Sequence, residues 1–288
     1  MAIEIEARGL SLVYSIRGAK NGRNDKNGKV SGTLTALENV NLAVREGEFL
    51  SLVGPSGCGK STFLYILAGL IKKTSGSILI GGKEVNGPAL DRGIIMQAYA
   101  LFPWRTVQKN VEFGLEVKKV PRAERAGIAR GYIELVGLGE FSDRYPFELS
   151  GGMKQRIAIA RALAYNPDVL LMDEPFAAVD EQTRGALHEE LLRIWEETQK
   201  TIIFVTHSID EAIFLSDRVA VMTPGPGTVR KIVDIKLARP RASEIRTSAE
   251  FAKYRREIWQ LLQNRTDRTE AVVTETCILE SEPQEAVI

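Results

Sequence analysis

Residues 54–61 have the types and the spacing of a phosphate-binding loop. They match the pattern G-x-x-x-x-G-K-[ST] at every fixed position. Glycines allow the backbone to turn its N–H groups inward around an anion, and a helix that begins near Lys60 adds its positive end. Lys60 supplies a positive charge for the phosphates, and the Ser61 hydroxyl is an oxygen ligand of the kind that Mg²⁺ prefers. The predicted contact residues are Gly54, Pro55, Ser56, Gly57, Cys58, Gly59, Lys60, Ser61 and Thr62.

The alternative for this loop is a glycine-rich turn with a chance lysine. A buried strand pattern at 49–53 precedes it and an apolar helix pattern at 63–70 follows it, and this context favours phosphate binding. Cys58 lies at the helix N-terminus beside Lys60, so we expect a reactive thiol that bound nucleotide shields from alkylation. A small residue tolerated in a tight loop is the other explanation of Cys58.

An apolar strand pattern at 169–172 ends in the acidic pair Asp173 and Glu174. Nucleotide sites in open α/β sheets form at such strand ends. Asp173 is expected to hold Mg²⁺ through water. Glu174 faces a different direction and is expected to polarise the attacking water as a general base. The alternative, an acidic pair that merely ends a strand in solvent, is weakened by the loop at Lys60.

The chain contains two histidines. His207 follows an apolar strand pattern, where it is placed to donate a hydrogen bond to a terminal phosphate; a structural histidine with satisfied hydrogen bonds is the alternative. His188 lies in a helical pattern, and we expect its side chain to be solvated or half-buried.

The alternation of strand and helix patterns predicts an α/β fold with parallel strands and helices on both faces. Residues 18–32, rich in Gly, Asn and Lys, predict a mobile loop, and residues 264–288 predict a disordered tail. Pro121 is expected to open the second helix of the region 106–142. The predicted strands are 3–14, 37–44, 49–53, 93–96, 169–172, 201–205, 218–222 and 229–235, and the predicted helices are 63–70, 106–142, 153–164, 181–199, 208–216 and 251–262.

Composition excludes several classes of protein. The chain is 44% hydrophobic and 26% charged, as in soluble globular proteins, which excludes a disordered, collagen-like or coiled-coil chain. The net charge of +1 gives no overall electrostatic signal for nucleic-acid binding and leaves a local basic patch open. The apolar runs are shorter than the ~18 residues of a membrane helix, and the N-terminal residues do not form a secretory signal. Two cysteines make no disulfide framework, so a reducing cytosol is expected.

Residues 149–156, LSGGMKQR, resemble the signature motif of ATP-binding-cassette (ABC) ATPases. Tyr14 matches the position of the family's adenine-stacking aromatic residue, and Gln97 follows a strand as in the family's Q-loop. Asp180 ends a segment that resembles the D-loop, and His207 resembles the switch histidine. These elements occur in the family's order, so the chain is identified as a member of this family.

The resemblance implies an ABC-type P-loop nucleotide-binding domain with a parallel core sheet, an antiparallel β subdomain and a helical subdomain. It implies an ATPase domain at 1–240 with the helical subdomain at about 98–160, a helical extension at 241–264 and a tail at 265–288. The implied ligands are ATP and Mg²⁺. The implied roles are catalytic for Glu174, His207, Gln97 and Lys60, nucleotide contact for Tyr14, Gln97, Ser150, Gly151, Gly152 and Asp180 besides the loop, and metal binding for Ser61, Gln97 and Asp173.

The resemblance also implies partners. A Gly-Gly pair before a helix is a second phosphate cradle. In the family two subunits pack head to tail, so that Lys60 of one and Ser150 of the other meet the same ATP; the second subunit is either an identical chain or a close paralogue. Residues 100–107 and the Pro-Gly-Pro-Gly turn at 224–227 are similar to nitrate, sulfonate, taurine and bicarbonate importers of bacteria. Transmembrane permease subunits are therefore expected to dock near Gln97 to Trp104 at the cytoplasmic face of the plasma membrane, with an extracytoplasmic solute-binding protein as an indirect partner.

Two other functions compete with the importer ATPase. A soluble ABC ATPase that acts on nucleic acid or cluster assembly is disfavoured, because the spacing between the two cradles is too short for a long coiled coil and the chain has one cassette. An unrelated phosphate-loop kinase leaves the signature and Gln97 unexplained.

Overall fold

The computed structural model describes residues 3–17, 23–24, 30–177 and 179–263. Its strands are β1 (Ile3–Arg17), β2 (Arg23–Asn24), β3 (Val30–Arg45), β4 (Phe49–Val53), β5 (Ser75–Ile80), β6 (Lys83–Glu84), β7 (Arg92–Ile95), β8 (Val169–Asp173), β9 (Thr201–Thr206), β10 (Arg218–Met222) and β11 (Val229–Asp234). Its helices are α1 (Lys60–Leu67), α2 (Val107–Val117), α3 (Arg122–Leu135), α4 (Gly151–Ala164), α5 (Glu181–Thr198), α6 (Ile209–Leu215) and α7 (Ala249–Gln263).

The main sheet has the strand order β11-β10-β4-β9-β8-β7, and every neighbouring pair except β10–β11 is parallel. The central strands β4, β9 and β8 are buried along their whole length, which explains why the sequence shows continuous apolar runs there. Because these strands run in the same direction, Val53, Asp173 and Thr206 end at one edge of the sheet. The predicted parallel core sheet is confirmed.

A second, antiparallel sheet has the strand order β2-β3-β1-β5-β6. Its buried face shares a core with α1, to which Ile5, Leu42 and Ile78 contribute from the sheet and Leu64 from the helix. The long β1–β3 hairpin places Tyr14 opposite Leu34. Strand β5 was not predicted, because its apolar residues are confined to the end of the SGSILI sequence.

The predicted loop at 18–32 is wrong at the positions that the structure describes. Arg23–Asn24 forms β2, and residues 30–32 belong to β3. Strand pairing joins backbone N–H and C=O groups, which a sequence of Gly, Asn and Lys supplies as well as an apolar one. The other positions of this stretch and the predicted disordered tail lie outside the described residues.

Helices α2, α3 and α4 pack around Val111, Ile133 and Ile157, which have no exposed surface. Pro121 directly precedes α3, as predicted. The buried Asn110 accepts a hydrogen bond from the Phe102 backbone N–H at 2.8 Å and donates one to its carbonyl at 3.1 Å. This side chain therefore fixes the segment after Gln97 to the helical region.

Helix α1 ends at Leu67, so the predicted helix to residue 70 is too long. Gly69 has φ +76°, and a Cβ there would lie 2.2 Å from the Gly87 carbonyl. The left-handed backbone stops the helix, and Leu70 turns outward with 49% of its surface exposed.

Within the described ranges, no helix combines the length and the apolarity that crossing a membrane requires.

Helix α7 packs against α6, β10 and β11. Its Phe251 and Ile258 are fully buried and belong to the same core as the strands of the main sheet. The boundary at residue 240 between an ATPase domain and an extension stays a prediction, but no break in the core marks it among the described residues.

Replacing Phe251 with alanine should lower the free energy of unfolding by about 3–5 kcal/mol, because a large buried ring leaves a cavity in the shared core. Chemical denaturation of the full chain measures this loss. Trp259→Ala is the matched control on the same helix: that side chain is 54% exposed, so its loss should be about 1 kcal/mol or less. Equal losses for the two variants would contradict the placement of α7 in the core.

Candidate active site

The phosphate loop connects β4 to α1. Gly57 and Gly59 have φ values of +75° and +93°, which glycine adopts without strain. A Cβ at Gly59 would lie 2.6 Å from the Leu37 side chain and 3.0 Å from the Ala36 carbonyl oxygen. The loop thus packs directly against β3, and the glycine pattern recognised in the sequence has a steric reason.

Lys60 lies at the start of α1 and is 6% exposed. Its ammonium group donates hydrogen bonds to the carbonyl oxygens of Gly54 at 2.8 Å and Pro55 at 3.1 Å. These partners are neutral, so the positive charge is held at the loop without an ion pair. An anion that enters the loop meets this charge together with the helix N-terminus.

Asp173 ends β8 and is 4% exposed. One of its carboxylate oxygens accepts a hydrogen bond from Ser61 Oγ at 2.8 Å, and the other accepts one from the Tyr65 hydroxyl at 2.8 Å. Burial, together with the hydrogen bond to Asp173 and its charge, raises the pKa of Tyr65 to about 12, so the phenol stays a donor. Tyr65 was not predicted; its position four residues after Ser61, on one helix face, was the available signal.

Glu174 lies beside His207 across the sheet edge. Glu174 has φ +44°, and its backbone N–H bonds the Val205 carbonyl at 3.0 Å. His207 Nδ1 lies 3.2 Å from Glu174 Oε2. An ionised carboxylate only accepts hydrogen bonds, so Nδ1 carries the shared proton. The His207 side chain is otherwise 68% exposed, and its second nitrogen remains available to a ligand.

A cavity of about 630 Å³ joins part of the predicted site. It brings together Tyr14, the loop residues Ser56 to Thr62, and Glu174. Gln97, His207, Ser150, Gly151, Gly152 and Asp180 do not line it. Sequence reasoning missed other lining residues, which come from the hairpin strand opposite Tyr14 and from the turn after β10: Thr33, Leu34, Thr35, Ala36, Gly225 and Pro226.

The remaining predicted contact residues lie at helix starts or in exposed backbone. Ser150 is the N-cap of α4, and its hydroxyl accepts from the Met153 N–H at 3.3 Å. Asp180 is the N-cap of α5 and accepts from the Thr183 N–H at 2.9 Å. Gln97 is exposed just after β7. Ser150 and Asp180 are both exposed, so the positive N-terminal ends of α4 and α5 are open to solvent.

Two predictions about single side chains are wrong. Cys58 is 1% exposed, which contradicts the accessible thiol expected without nucleotide, although its Sγ does lie 3.8 Å from the Lys60 ammonium. His188 is 2% exposed rather than solvated. It contacts Glu211 at 3.3 Å and Arg246 at 2.9 Å, residues distant in the sequence.

A phosphate loop after one buried parallel strand, with two carboxylates at the end of a strand two places away, defines a P-loop nucleotide-binding protein of the α/β class. A sequence profile of the family "ABC transporter" matches residues 37–177.

Relatives of known sequence agree with this profile. An uncharacterised ABC transporter ATP-binding protein of Methanocaldococcus jannaschii is 51% identical, over 92% of this chain and 93% of its own. The nitrate import ATP-binding protein of Synechocystis sp. is 48% identical, over 84% and 94%. The aliphatic sulfonates import ATP-binding protein of Bacillus cereus is 45% identical, over 81% and 90%.

A solved structure of similar shape is the dimeric post-hydrolysis state of an ATP-binding cassette bound to ADP and phosphate. It has a TM-score of 0.67 and 32% identity, and the match covers 81% of this chain and all of that one. The chain therefore belongs to the ABC transporter family and is an ABC ATPase, as the resemblance implied.

The turn after β10 packs against the phosphate loop and against β3. Gly227 donates its N–H to the Ala36 carbonyl at 3.0 Å and accepts from the Glu38 N–H at 3.0 Å. A Cβ at Gly227 would lie 1.9 Å from the carbonyl oxygen of Cys58, which is backbone and has no rotamer to change. Any side chain at this position must move the loop or the turn.

Gly227→Ala should therefore weaken ATP binding by about tenfold or more, because a backbone shift near 1 Å misplaces the phosphate-binding N–H groups. Isothermal titration of the full chain with ATP measures the dissociation constant. Gly87→Ala is the control, since a Cβ at Gly87 would meet no atom within 4 Å. An unchanged affinity in Gly227→Ala would show that the turn does not set the loop geometry.

Proposed function

We propose that this ABC ATPase is the energy-coupling subunit of an importer for a small anion of the nitrate or sulfonate type. The observation that carries the proposal is the single sheet edge at which Lys60, Asp173, Glu174 and His207 meet beside an open cavity. The names of the two import proteins described above support the importer role and the class of solute.

In this proposal ATP lies in the cavity with its adenine at Tyr14 and its phosphates at the loop. The exposed ring of Tyr14 at one end is a stacking surface for adenine, which contributes about 1–3 kcal/mol in comparable base–aromatic contacts. Residues Ser56 to Thr62 form the other end and take the phosphates. A phosphate oxygen competes with the Gly54 and Pro55 carbonyls for the Lys60 ammonium, and the charged oxygen is the stronger acceptor.

The donor set beside the phosphate loop fits Mg²⁺. Ser61 Oγ and both oxygens of Asp173 are hard ligands gathered at one point. In the described part of the chain, no three His, Cys, Asp or Glu side chains cluster to hold a metal by themselves. Mg²⁺ completes its coordination with phosphate oxygens and water, which matches this sparse protein set. Bound there, it would neutralise phosphate charge; Gln97 is proposed as a further ligand.

Hydrolysis is assigned to Glu174 and His207. The Glu174 carboxylate accepts a proton from water while the water oxygen attacks the terminal phosphorus, and ADP leaves. His207 holds that carboxylate through Nδ1 and presents its other nitrogen to the phosphate. The left-handed backbone of Glu174 directs its side chain into the cavity, away from the buried Asp173.

A second subunit completes the site in this proposal. Ser150, Gly151 and Gly152 form the N-terminus of α4 but do not line the cavity of their own chain. The N-terminus of α4 can bind a phosphate but lies outside the cavity of its own chain. This fits an arrangement in which each copy completes the nucleotide site of the other. Asp180 at the start of α5 is assigned to the same interface, and the dimeric state of the similar solved structure supports it.

A membrane permease is the second proposed partner. An apolar groove of about 450 Å³ lies beside the segment after Gln97, between α2, α4 and the residues that follow α1. Trp104 projects nearby with 73% of its surface exposed. A groove of this kind accepts one amphipathic helix, and the subunit would then sit peripherally on the cytoplasmic face of the membrane. Its apolar lining includes Leu70, Leu90, Phe102, Phe113, Val117 and Tyr165.

Glu174→Gln should reduce the rate of ATP hydrolysis at least about 100-fold while ATP affinity stays within about twofold, because the amide cannot take the proton. Phosphate release and ATP titration of the full chain measure the two quantities. Glu140→Gln, on the exposed surface, is the control. Retention of near-normal hydrolysis in Glu174→Gln would remove the general base from the proposal.

Val117→Glu should release the protein from membranes of its source cells without changing its own ATP affinity. Val117 is 49% exposed at the groove, so the charge disturbs docking and not the fold. Ile128→Glu, on α3 with 37% exposure and away from the groove, is the control. Quantitative fractionation measures the effect, and equal membrane retention of both variants would place the permease elsewhere.

A further inference from the structure

A buried polar cluster next to the catalytic edge has no role in the mechanism described so far. Glu211 in the first turn of α6 is 7% exposed, and His188 in α5 is 2% exposed. Arg246 comes from the 3-10 helix Ser243–Thr247, which precedes α7. His188 lies between the other two, with Nε2 3.3 Å from Glu211 Oε1 and Nδ1 2.9 Å from an Arg246 nitrogen.

The chemistry of the partners fixes the hydrogens on His188. Arginine only donates hydrogen bonds, so Nδ1 accepts; an ionised carboxylate only accepts, so Nε2 donates. Burial by itself raises the pKa of Glu211, but hydrogen bonds from His188 and Thr206, together with nearby positive charge, leave the pKa below its usual value. Glu211 Oε1 is therefore the acceptor in this pair, and His188 Nε2 is its donor. The direction of hydrogen bonding runs from Arg246 through His188 to Glu211.

The other end of this chain of hydrogen bonds reaches the residues on both sides of His207. Glu211 Oε2 accepts a hydrogen bond from Thr206 Oγ1 at 2.5 Å. Thr206 Oγ1 in turn accepts from the backbone N–H of Ser208 at 3.0 Å. Thr206 is 1% exposed, so its hydroxyl depends on these protein partners. The Glu211 carboxylate thus bonds the Thr206 hydroxyl directly, and it reaches the Ser208 N–H on the other side of His207 through that hydroxyl.

The C-terminal segment, residues 241–263, also holds the C-terminal end of α6. Arg241 is 5% exposed and donates to the carbonyl oxygens of Ile213, Phe214 and Ser216 at 3.0, 2.9 and 2.8 Å. Burial, followed by the nearby charge of Arg239, lowers the pKa of Arg241 to about 10. It still carries its proton at neutral pH and satisfies the carbonyls at the helix end. Helix α6, which follows His207 directly, is thus fixed at its start through Arg246 and at its end by Arg241.

We propose that Arg246 and His188 are positioning residues for ATP hydrolysis: the Arg246–His188–Glu211 relay sets the backbone of His207, and through it the carboxylate of Glu174. This inference rests on the roles that the proposed function gives to His207 and Glu174. It adds that the segment carrying Arg246 acts on the hydrolytic step and not on nucleotide binding, since the hydrogen bonds and ion pairs of the described residues do not join the relay to Tyr14 or the phosphate loop.

The test compares variants of the full chain that break the relay with a matched one that does not. His188→Leu removes both hydrogen bonds at similar volume, and Arg246→Met removes the donor. Arg255→Met is the control, because Arg255 also joins the C-terminal segment to α6, through an exposed pair with Asp210 at 2.6 Å. Turnover at saturating ATP is divided by the number of sites that bind a fluorescent ATP analogue, so unfolded protein is not counted.

Both relay variants should lose about tenfold in turnover per binding site, as mutations of residues that orient a functional group do, with ATP affinity within about twofold of wild type. His188→Gln keeps one acceptor and one donor and should recover to within about threefold. Arg255→Met should match the wild type. If His188→Leu does not fold, Arg246→Met carries the comparison alone.

Turnover in the relay variants equal to that of Arg255→Met would overturn the inference, as would a loss of ATP affinity in proportion to the loss of turnover. His207→Ala, measured beside them, distinguishes a failure of the relay from a failure of the role proposed for His207. Loss of turnover in His207→Ala with normal turnover in His188→Leu refutes the relay alone. Wild-type turnover in His207→Ala refutes the proposed role of His207 and the relay with it.

Discussion

Close packing around the phosphate loop is the constraint on which the site depends. Strand β3 and the turn at Gly227, which are hydrogen-bonded to one another, both pack against the loop, and they leave no space for a methyl group at Gly59 or Gly227. The directions of the loop N–H groups are therefore set by the fold before any ligand arrives. Dipoles that are already oriented stabilise a phosphate without reorganisation at the moment of binding.

The two buried charges of the site, Lys60 and Asp173, are held by neutral groups. Lys60 and Asp173 are both almost fully buried, yet they do not neutralise one another in an ion pair. Carbonyl oxygens hold the ammonium, and hydroxyl groups of Ser61 and Tyr65 hold the carboxylate. Each charge keeps a strong residual field for a ligand of the opposite sign, because neutral dipoles offset desolvation without cancelling the charge.

The sequence was most informative where function depends on a short continuous segment. The phosphate loop, the acidic pair at Asp173 and Glu174 and the buried parallel strands could all be predicted, because their chemistry and their spacing lie next to one another in the chain. Positions brought together by the tertiary fold could not. Pro226 lines the nucleotide cavity from a turn that reads only as a turn, and His188 meets Arg246 from 58 residues away.

Helix α4 joins two surfaces that otherwise lie apart. Its first residues, Gly151 and Gly152, belong to the signature, and its last turns supply Arg161 and Ala162 to the groove proposed for the permease. Arg161 also holds the carbonyl oxygens of Tyr99 and Ala100, two left-handed residues after Gln97. A helix of 14 residues is a stiff rod of about 21 Å. If this rod turns about a point between its ends, a tilt at Gly151 moves its last turns, and with them the groove proposed for the permease, in the opposite direction.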